Sequence, residues 1–258
     1  MPKDSAAAQN RQRLDKWVSS QGSWSRRQVK ELVRAGKILV NGTPPASSDV
    51  KISEADEVWV DGKRLFLQKH VYIMLNKPAG VVSATEDKQD KTVLDLLPPD
   101  MRRPGLFPAG RLDKDAEGFV LITDDGAFAH SILSPVHHVP KTYYVQFVPA
   151  RQEPDCTPQE LIAAFAAGVP LGEGEESSPA QLVLLPPEDG QDEKALDYFV
   201  AELTIYEGIF HQVKRMFMRF GFRVAYLRRV RIGGLDLDKN LRPGAARVIV
   251  HNELLEIC

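Results

Sequence analysis

Cysteine is scarce in this chain of 258 residues: there are two, Cys156 and Cys258, a hundred positions apart. Two distant cysteines form neither a disulfide framework nor a metal quartet, and they fit a reducing cytoplasm. Long apolar runs are missing as well. None approaches the roughly 20 residues of a membrane span. The N-terminus is polar, without the apolar core of a signal peptide. Net charge is also small, −2, and taken alone it argues against a nucleic-acid partner. What is present, 43% hydrophobic and 26% charged residues, is the make-up of a soluble globular chain with room for one large domain or two smaller ones.

The small total hides a segregation of charge. Arg11 to Val40 holds eight Lys/Arg against two Asp/Glu, and Ile205 to Arg231 holds seven against one. Arg151 to Glu202 holds two against twelve. Two basic blocks on a near-neutral chain are an electrostatic footprint for phosphate. The acidic block would repel it.

In order, residues 1–10 read as a disordered tail. Arg13 to Ser19 reads as a short amphipathic helix. Ser25 is placed to cap a second helix, Arg26 to Ala35, with Gly36 as its stop. On it Arg26, Lys30 and Arg34 recur every four residues as a stripe of one sign, with Val29, Leu32 and Val33 on the opposite face. Arg27 precedes the stripe's second turn and Lys37 follows the helix. Lys37 to Gly42 reads as a strand into an Asn-Gly turn, and Val50 to Asp61 as further strand. This is a unit of about sixty residues, 11–66, ending in a linker over Arg64 to His70.

A larger unit, 71–258, follows. Strands are expected at Val71–Leu75, Lys141–Val148, Tyr198–Ile205, Val224–Ile232 and Arg247–His251. Helices are expected at Ala127–Leu133, Pro158–Ala167 and His211–Phe220, with Lys91–Leu97 a short helix or turn. Gly172 to Ser178 reads as a polar loop. His137 and His138 have no nearby cysteine and no His-Glu-x-x-His spacing, so no metal site is expected. The whole is α+β.

The densest chemistry lies at Gly110-Arg-Leu-Asp-Lys-Asp-Ala-Glu-Gly118, running into Phe119-Val-Leu-Ile-Thr123. A glycine-bounded, charged loop at the mouth of a buried strand is where catalytic groups are commonly held. The same loop could be an ordinary charged turn. Gly-Arg-Leu-Asp followed by x-Asp-x-x-Gly resembles the active-site loop of RsuA-type ribosomal RNA pseudouridine synthases, with Ala116, Phe119 and Asp124 departing from the usual pattern. Asn76-Lys-Pro, Lys141-Thr-Tyr143 and His211-Gln-Val-Lys-Arg215 resemble further motifs of that family, in the same order. The first unit resembles the S4 RNA-binding domain over nearly its whole length.

Isomerising uridine breaks N1–C1′, turns the base and rejoins it through C5. No redox equivalent is consumed. A carboxylate beside the sugar serves, either by addition or by taking a sugar proton, if a cation keeps it ionised. The target base must leave its stack. The resemblance assigns the carboxylate to Asp113, the stacking and proton-transferring aromatic to Tyr143, and the cation to Lys214, with Arg215 the alternative one residue on. It gives Arg111 to phosphate or to the gap left by the flipped base, and Leu203 to the far side of the base. Asp115 reads as a structural loop residue. Arg26, Arg27, Lys30, Arg34 and Lys37 are the RNA-binding candidates. The resemblance further implies a mixed, mostly antiparallel sheet, no metal or organic cofactor, and a cytoplasmic monomer acting on small-subunit (16S) ribosomal RNA or its assembly intermediate. Ser134 to Tyr143 looks most like the member acting at the uridine-516-type site. A large-subunit (23S) or transfer RNA uridine is the runner-up. The rivals are a non-catalytic S4-type ribosome-assembly protein and a glycoside hydrolase, which would need two cooperating carboxyls.

Overall fold

The computed structural model describes residues 11–21, 24–53, 55–65, 69–172, 174–186 and 198–257; the tail expected over residues 1–10 lies outside them. The chain divides into two compact units, Met1–Val71 with Leu97–Leu106, and Tyr72–Leu96 with Phe107–Cys258.

The first unit runs β1 (Gln12–Arg13), α1 (Leu14–Ser20), α2 (Arg26–Arg34), β2 (Ile38–Val40), β3 (Lys51–Ile52), β4 (Val58–Val60) and β5 (Lys63–Leu65). Ser25 starts α2 through a capping box: its hydroxyl accepts from Gln28 N at 3.3 Å, and the Gln28 side chain accepts from Ser25 N at 2.8 Å. Val29, Leu32 and Val33 pack with Leu14, Trp17, Val18, Ile38 and Ile52. Burying that face leaves Arg26, Lys30 and Arg34 in solvent. The strand expected over Val50–Asp61 is two strands, because the Asp56 carboxylate draws in Ser53 N at 2.6 Å and the Asn41 amide at 2.8 Å, turning the chain between them. β5 occupies the start of the expected linker and closes an antiparallel β2-β4-β5 sheet.

The second unit runs β6 (Tyr72–Lys77), β7 (Phe107–Ala109), β8 (Glu117–Thr123), α3 (Gly126–Leu133), β9 (Lys141–Pro149), α4 (Pro158–Ala167), β10 (Pro170–Gly172), β11 (Glu175–Glu176), β12 (Gln181–Leu185), β13 (Phe199–Ile205), α5 (Gln212–Arg219), β14 (Phe222–Ile232), β15 (Leu235–Asp236), β16 (Ala246–Val248) and α6 (His251–Leu254). Among the described residues nine strands form one sheet, ordered β12-β13-β9-β14-β8-β6-β16, with β15 on β14 and β7 on β8. β8 and β14 are parallel and the other pairs antiparallel. The run Phe119 to Thr123 is fully buried in β8, as its unbroken apolar character requires. One core gathers Met74, Phe119, Leu121, Ile132, Ile232 and Ile249. Phe147 packs its ring on Phe217 at 4.6 Å and on Phe222 at 5.4 Å, which fastens α5 to the sheet.

Lys91–Leu97 takes the second of the two forms expected for it, a turn: Thr92 bridges to Val82, and Asp95 accepts from Thr92 N at 2.8 Å. Two expectations are corrected. Gly172–Ser178 is in part a hairpin, β10 with β11. The last strand stops at Val248, where Arg247 pairs with Glu253 at 2.7 Å and the chain folds into α6. β12 was not anticipated.

Candidate active site

A cleft of about 630 Å³ opens in the second unit between the loop before β8 and the start of α5. Its lining includes Arg111, Asp113, Asp115, Tyr143, His211 and Lys214.

The loop is held from behind by its own backbone. Lys77, fully buried at the end of β6, donates to the carbonyls of Ala116 (2.6 Å), Lys114 (3.2 Å) and Pro78 (3.1 Å). Gly80 N also donates to Lys114 O, at 2.8 Å. Ser83 Oγ both donates to Leu112 O and accepts from Leu112 N, each at 3.1 Å. Arg229, buried in β14, donates to Phe119 O at 2.7 Å and Gly110 O at 3.1 Å. Leu112 is therefore tied to Ser83, Lys114 to Lys77 of β6, and Gly110 to Arg229 of β14, and the carboxylate stands on a fixed base. Burial pulls the Lys77 ammonium down to about 8, against the opposing attraction of Asp115, Glu117 and Asp113.

α5 supplies the cations. Its entry is locked by Gln212, which accepts from Ile209 N at 3.1 Å and donates to Glu207 at 2.7 Å. Glu207 in turn accepts from Ser178 N at 2.7 Å and Ser178 Oγ at 2.8 Å. Lys214 Nζ then lies 3.0 Å from Asp113 Oδ2 and 2.7 Å from Asp115 Oδ1. Burial lowers the Lys214 pKa, but its hydrogen bonds to Asp115 and Asp113 outweigh this and raise it above the ordinary lysine value. The Lys214 hydrogen bond holds the Asp115 carboxyl below the usual carboxylate range. His211 Nε2 is 3.6 Å from Asp113 Oδ1. Tyr143, in β9, is buried in the cleft wall, and its hydroxyl has no partner among the described residues.

The structure thus brings Asp113, Lys214, Tyr143 and Arg111 to one cleft. It does not bring Arg215 or Leu203 there. Arg215 turns to the other side of α5, where it donates to Phe210 O (3.2 Å) and Leu171 O (3.0 Å) and pairs with Glu175 (2.7 Å). Leu203 is fully buried opposite Tyr143 in the β13–β9 register, and Ile205 and Leu227 line the cleft instead. Asp115, read as structural, shares the Lys214 ammonium. Sequence reasoning missed Lys77, Ser83, Arg229 and His211. Lys77 had a signal, its place in Asn76-Lys-Pro, but the turn itself reads as ordinary. Among the described residues no cluster of three or more His, Cys, Asp or Glu could hold a metal ion, and no helix is long and apolar enough to cross a membrane. In the first unit Arg27 pairs with Glu31 at 3.2 Å and Lys37 with Asp61 at 3.3 Å, whereas Arg26, Lys30 and Arg34 make no ion pair among the described residues.

Carboxylates bridged to an ammonium in a cleft that also holds an aromatic hydroxyl, on a mixed sheet, together with a separate unit whose helix bears a basic stripe of one sign, define a class: an RNA-directed enzyme built around an ion-paired carboxylate. Comparison with known proteins makes the class specific. The RNA pseudouridylate synthase family profile matches residues 71–219 and the S4 domain profile residues 12–58. An uncharacterised RNA pseudouridine synthase of Bacillus subtilis is 41% identical over 94% of this chain and 96% of its own. The ribosomal small subunit pseudouridine synthase A of Haemophilus influenzae is 37% identical over 94% and 97%. A pseudouridylate synthase crystal structure superposes with a TM-score of 0.62 at 35% identity, covering 96% of this chain and all of that one. The chain belongs to the RNA pseudouridine synthases, in the group that carries an S4 domain ahead of the catalytic domain.

Proposed function

We propose that this protein converts one uridine of small-subunit (16S) ribosomal RNA, at the uridine-516-type site, to pseudouridine, with Asp113 as the essential carboxylate. The single observation that carries the reading is the Lys214–Asp113 contact at 3.0 Å in a cleft of about 630 Å³, a volume within the range of about 300–1,000 Å³ typical of ligand sites. Asp113 acts at the sugar while N1–C1′ breaks. Lys214 sets a positive charge beside it as the bound RNA displaces water from the cleft. The Tyr143 ring stacks on the uracil between N1 release and C5 attachment, and its hydroxyl serves proton transfer at C5. The proton lost from C5 is matched by one gained at N1, so no acid, base or oxidant is consumed. Ile205 and Leu227 supply the apolar wall, and Arg111 at the lip meets phosphate or fills the place of the flipped base. Arg26, Lys30 and Arg34 grip phosphates of the surrounding RNA, with Arg27 and Lys37 at the margin. The protein acts in the cytoplasm as a monomer on the small-subunit RNA or its assembly intermediate. The choice of RNA is supported by relatives whose names state it, several at 37–40% identity over nearly their whole length.

Pseudouridine mapping across total ribosomal RNA from cells lacking this protein tests the reading. The expected result is one lost site in the small-subunit RNA, restored by the parent protein and not by Asp113→Asn, which still binds RNA. A lost site in large-subunit RNA would keep the chemistry and overturn the substrate. Full activity of Asp113→Asn would overturn the role of the carboxylate, and no lost site in any RNA would favour a non-catalytic assembly protein.

A further inference from the structure

The lip of the cleft carries an aromatic side chain that the chemistry above leaves unused. Phe210 is 74% exposed, although it lies between Ile209 and His211 in the cleft lining. An exposed phenylalanine is ordinary when scattered on a surface. This one is neither scattered nor loose. Its ring stacks on the His211 imidazole, centroids 3.8 Å apart and planes within 21°. Its carbonyl accepts from Arg215 at 3.2 Å. The neighbouring Ile209 N is held by Gln212 at 3.1 Å, and His211 sits in the left-handed region at φ 51°. The backbone beneath the ring is therefore fixed from both sides. One face of the ring is covered by the histidine, whose Nε2 lies 3.6 Å from Asp113 Oδ1, and the exposure of the ring leaves the other face open to water.

We infer that Phe210, backed by His211, is the stacking platform for the nucleotide that flanks the target uridine, and so a residue that sets substrate specificity; the inference rests on the RNA-modifying reading of the site. A flipped uridine occupies the inner wall with Tyr143. Its neighbour is left at the lip with one face unstacked by the departure of the target base. An open aromatic face on a rigid turn offers that neighbour a replacement partner. The match is of one ring face to one base face, because the second face of Phe210 is already taken. Every base has such a face, so the platform favours the nucleotides that stack best, purines over pyrimidines.

Two measurements test this. The first is steady-state turnover on ribosomal RNA from cells lacking the protein, for the parent and for Phe210→Ala, Phe210→Leu and Phe210→Trp. Loss of one base stack is expected to lower kcat/KM about 5- to 150-fold in the Ala and Leu variants, mainly through KM. Trp is expected to retain near-parent values. Leu as good as Phe would mean that only apolar bulk is needed, and parent-like Ala would mean that nothing stacks; either overturns the inference. The second is independent of catalysis: quenching of Phe210→Trp fluorescence by the same RNA, relative to the parent. The three native tryptophans, Trp17, Trp24 and Trp59, all lie in the first unit, so the added signal reports the lip. Extra quenching supports stacking and its absence overturns it. An inactive parent together with extra quenching in Phe210→Trp would instead fault the choice of RNA or reaction and leave the platform standing.

Discussion

Replacing Gly118 by Ala should damage the catalytic unit far more than the same change at Gly244, a glycine of similar positive φ in open surroundings. Gly118 closes the Asp113 loop and enters β8 at φ +100°. It pairs in parallel with Arg229 of β14. A Cβ there would fall well inside contact with the Arg229 carbonyl oxygen, and 2.9 Å from Arg229 N and Arg228 Cγ. Two of these three atoms are sheet backbone and cannot swing aside. Positive φ costs an alanine about 1–2 kcal/mol, and forcing a methyl group into packed surroundings adds about 1–3. The stiffer unfolded chain returns less than about 1 kcal/mol, so the net loss is about 3 kcal/mol. Gly244 has φ +83° but no atom within 4 Å of its would-be Cβ. There only the strain applies, and the net loss is about 1 kcal/mol. Urea unfolding followed by far-ultraviolet circular dichroism would measure both, since tryptophan emission reports only the first unit. Turnover of Gly118→Ala should fall as well, because pushing β14 away moves Arg229, which holds Gly110 O. Equal losses at the two glycines, or less than about 1 kcal/mol at Gly118, would refute the close-approach argument.

Other perturbations separate the remaining roles. Lys214→Met leaves Asp113 and Asp115 facing each other without their shared cation, and kcat should drop on the order of 100-fold or more; Lys214→Arg should recover part of it in the same turnover assay, and a parent-like Met variant would remove the ion pair from the mechanism. Changing Arg26, Lys30 and Arg34 together to Ala should weaken RNA binding and lower the slope of log K against log salt by about two to three; an unchanged slope in filter binding would make the stripe mere surface. Lys141, buried and donating to Ile132 O at 3.2 Å, has its pKa pulled down to about 8, by burial first and by Arg229 second. Below pH 8 it is protonated in both folded and unfolded chains and the cost of burying the charge is fully present. Between pH 8 and 10.5 the folded state releases its proton first, so stability should rise there relative to Lys141→Met; parallel urea midpoints for the two proteins across that range would contradict this.

The helical and strand pattern of the chain and most of the residues that meet in the cleft were legible, because the loop at Gly110 to Gly118, the Ser25 cap and the apolar run of β8 each have local causes. What was not legible depended on depth and direction. Lys214 and Arg215 are one case. The buried face of α5 is Gln212, Val213, Met216 and Phe217, and at about 100° per residue Lys214 and Arg215 flank its centre symmetrically, one on each side. Nothing in the helix itself says which flank meets the cleft; the positions of Asp113 and Glu175 decide. Leu203 and Ile205 are a second case, since two residues of one strand share a face, and only the tertiary fold determines which reaches the cleft.

Arg229 shows the third kind of failure. Period-two reading puts Arg229 and Arg231 on one face and Arg228 on the other. The structure has irregular register between Arg229 and Arg231, so Arg229 is buried while Arg231 is half-exposed and pairs with Asp236. A bulge next to an active site re-aims a side chain. Here it turns a guanidinium from a candidate phosphate contact into an internal brace for the catalytic loop. Lys77 is the corresponding brace from β6. Both are cations facing carbonyl oxygens; Arg229 cannot be told from a surface charge by its neighbours in sequence, and the one cue for Lys77 is its place in Asn76-Lys-Pro. A buried cation that finds only backbone partners is costly to fold around. For Lys77 the position behind Asp113 and Asp115 has a second effect, because its charge and those carboxylates attract each other. Lys77 therefore both supports the loop and adds positive charge behind it, while Arg229 acts as a brace and Lys214 supplies the direct ion pair.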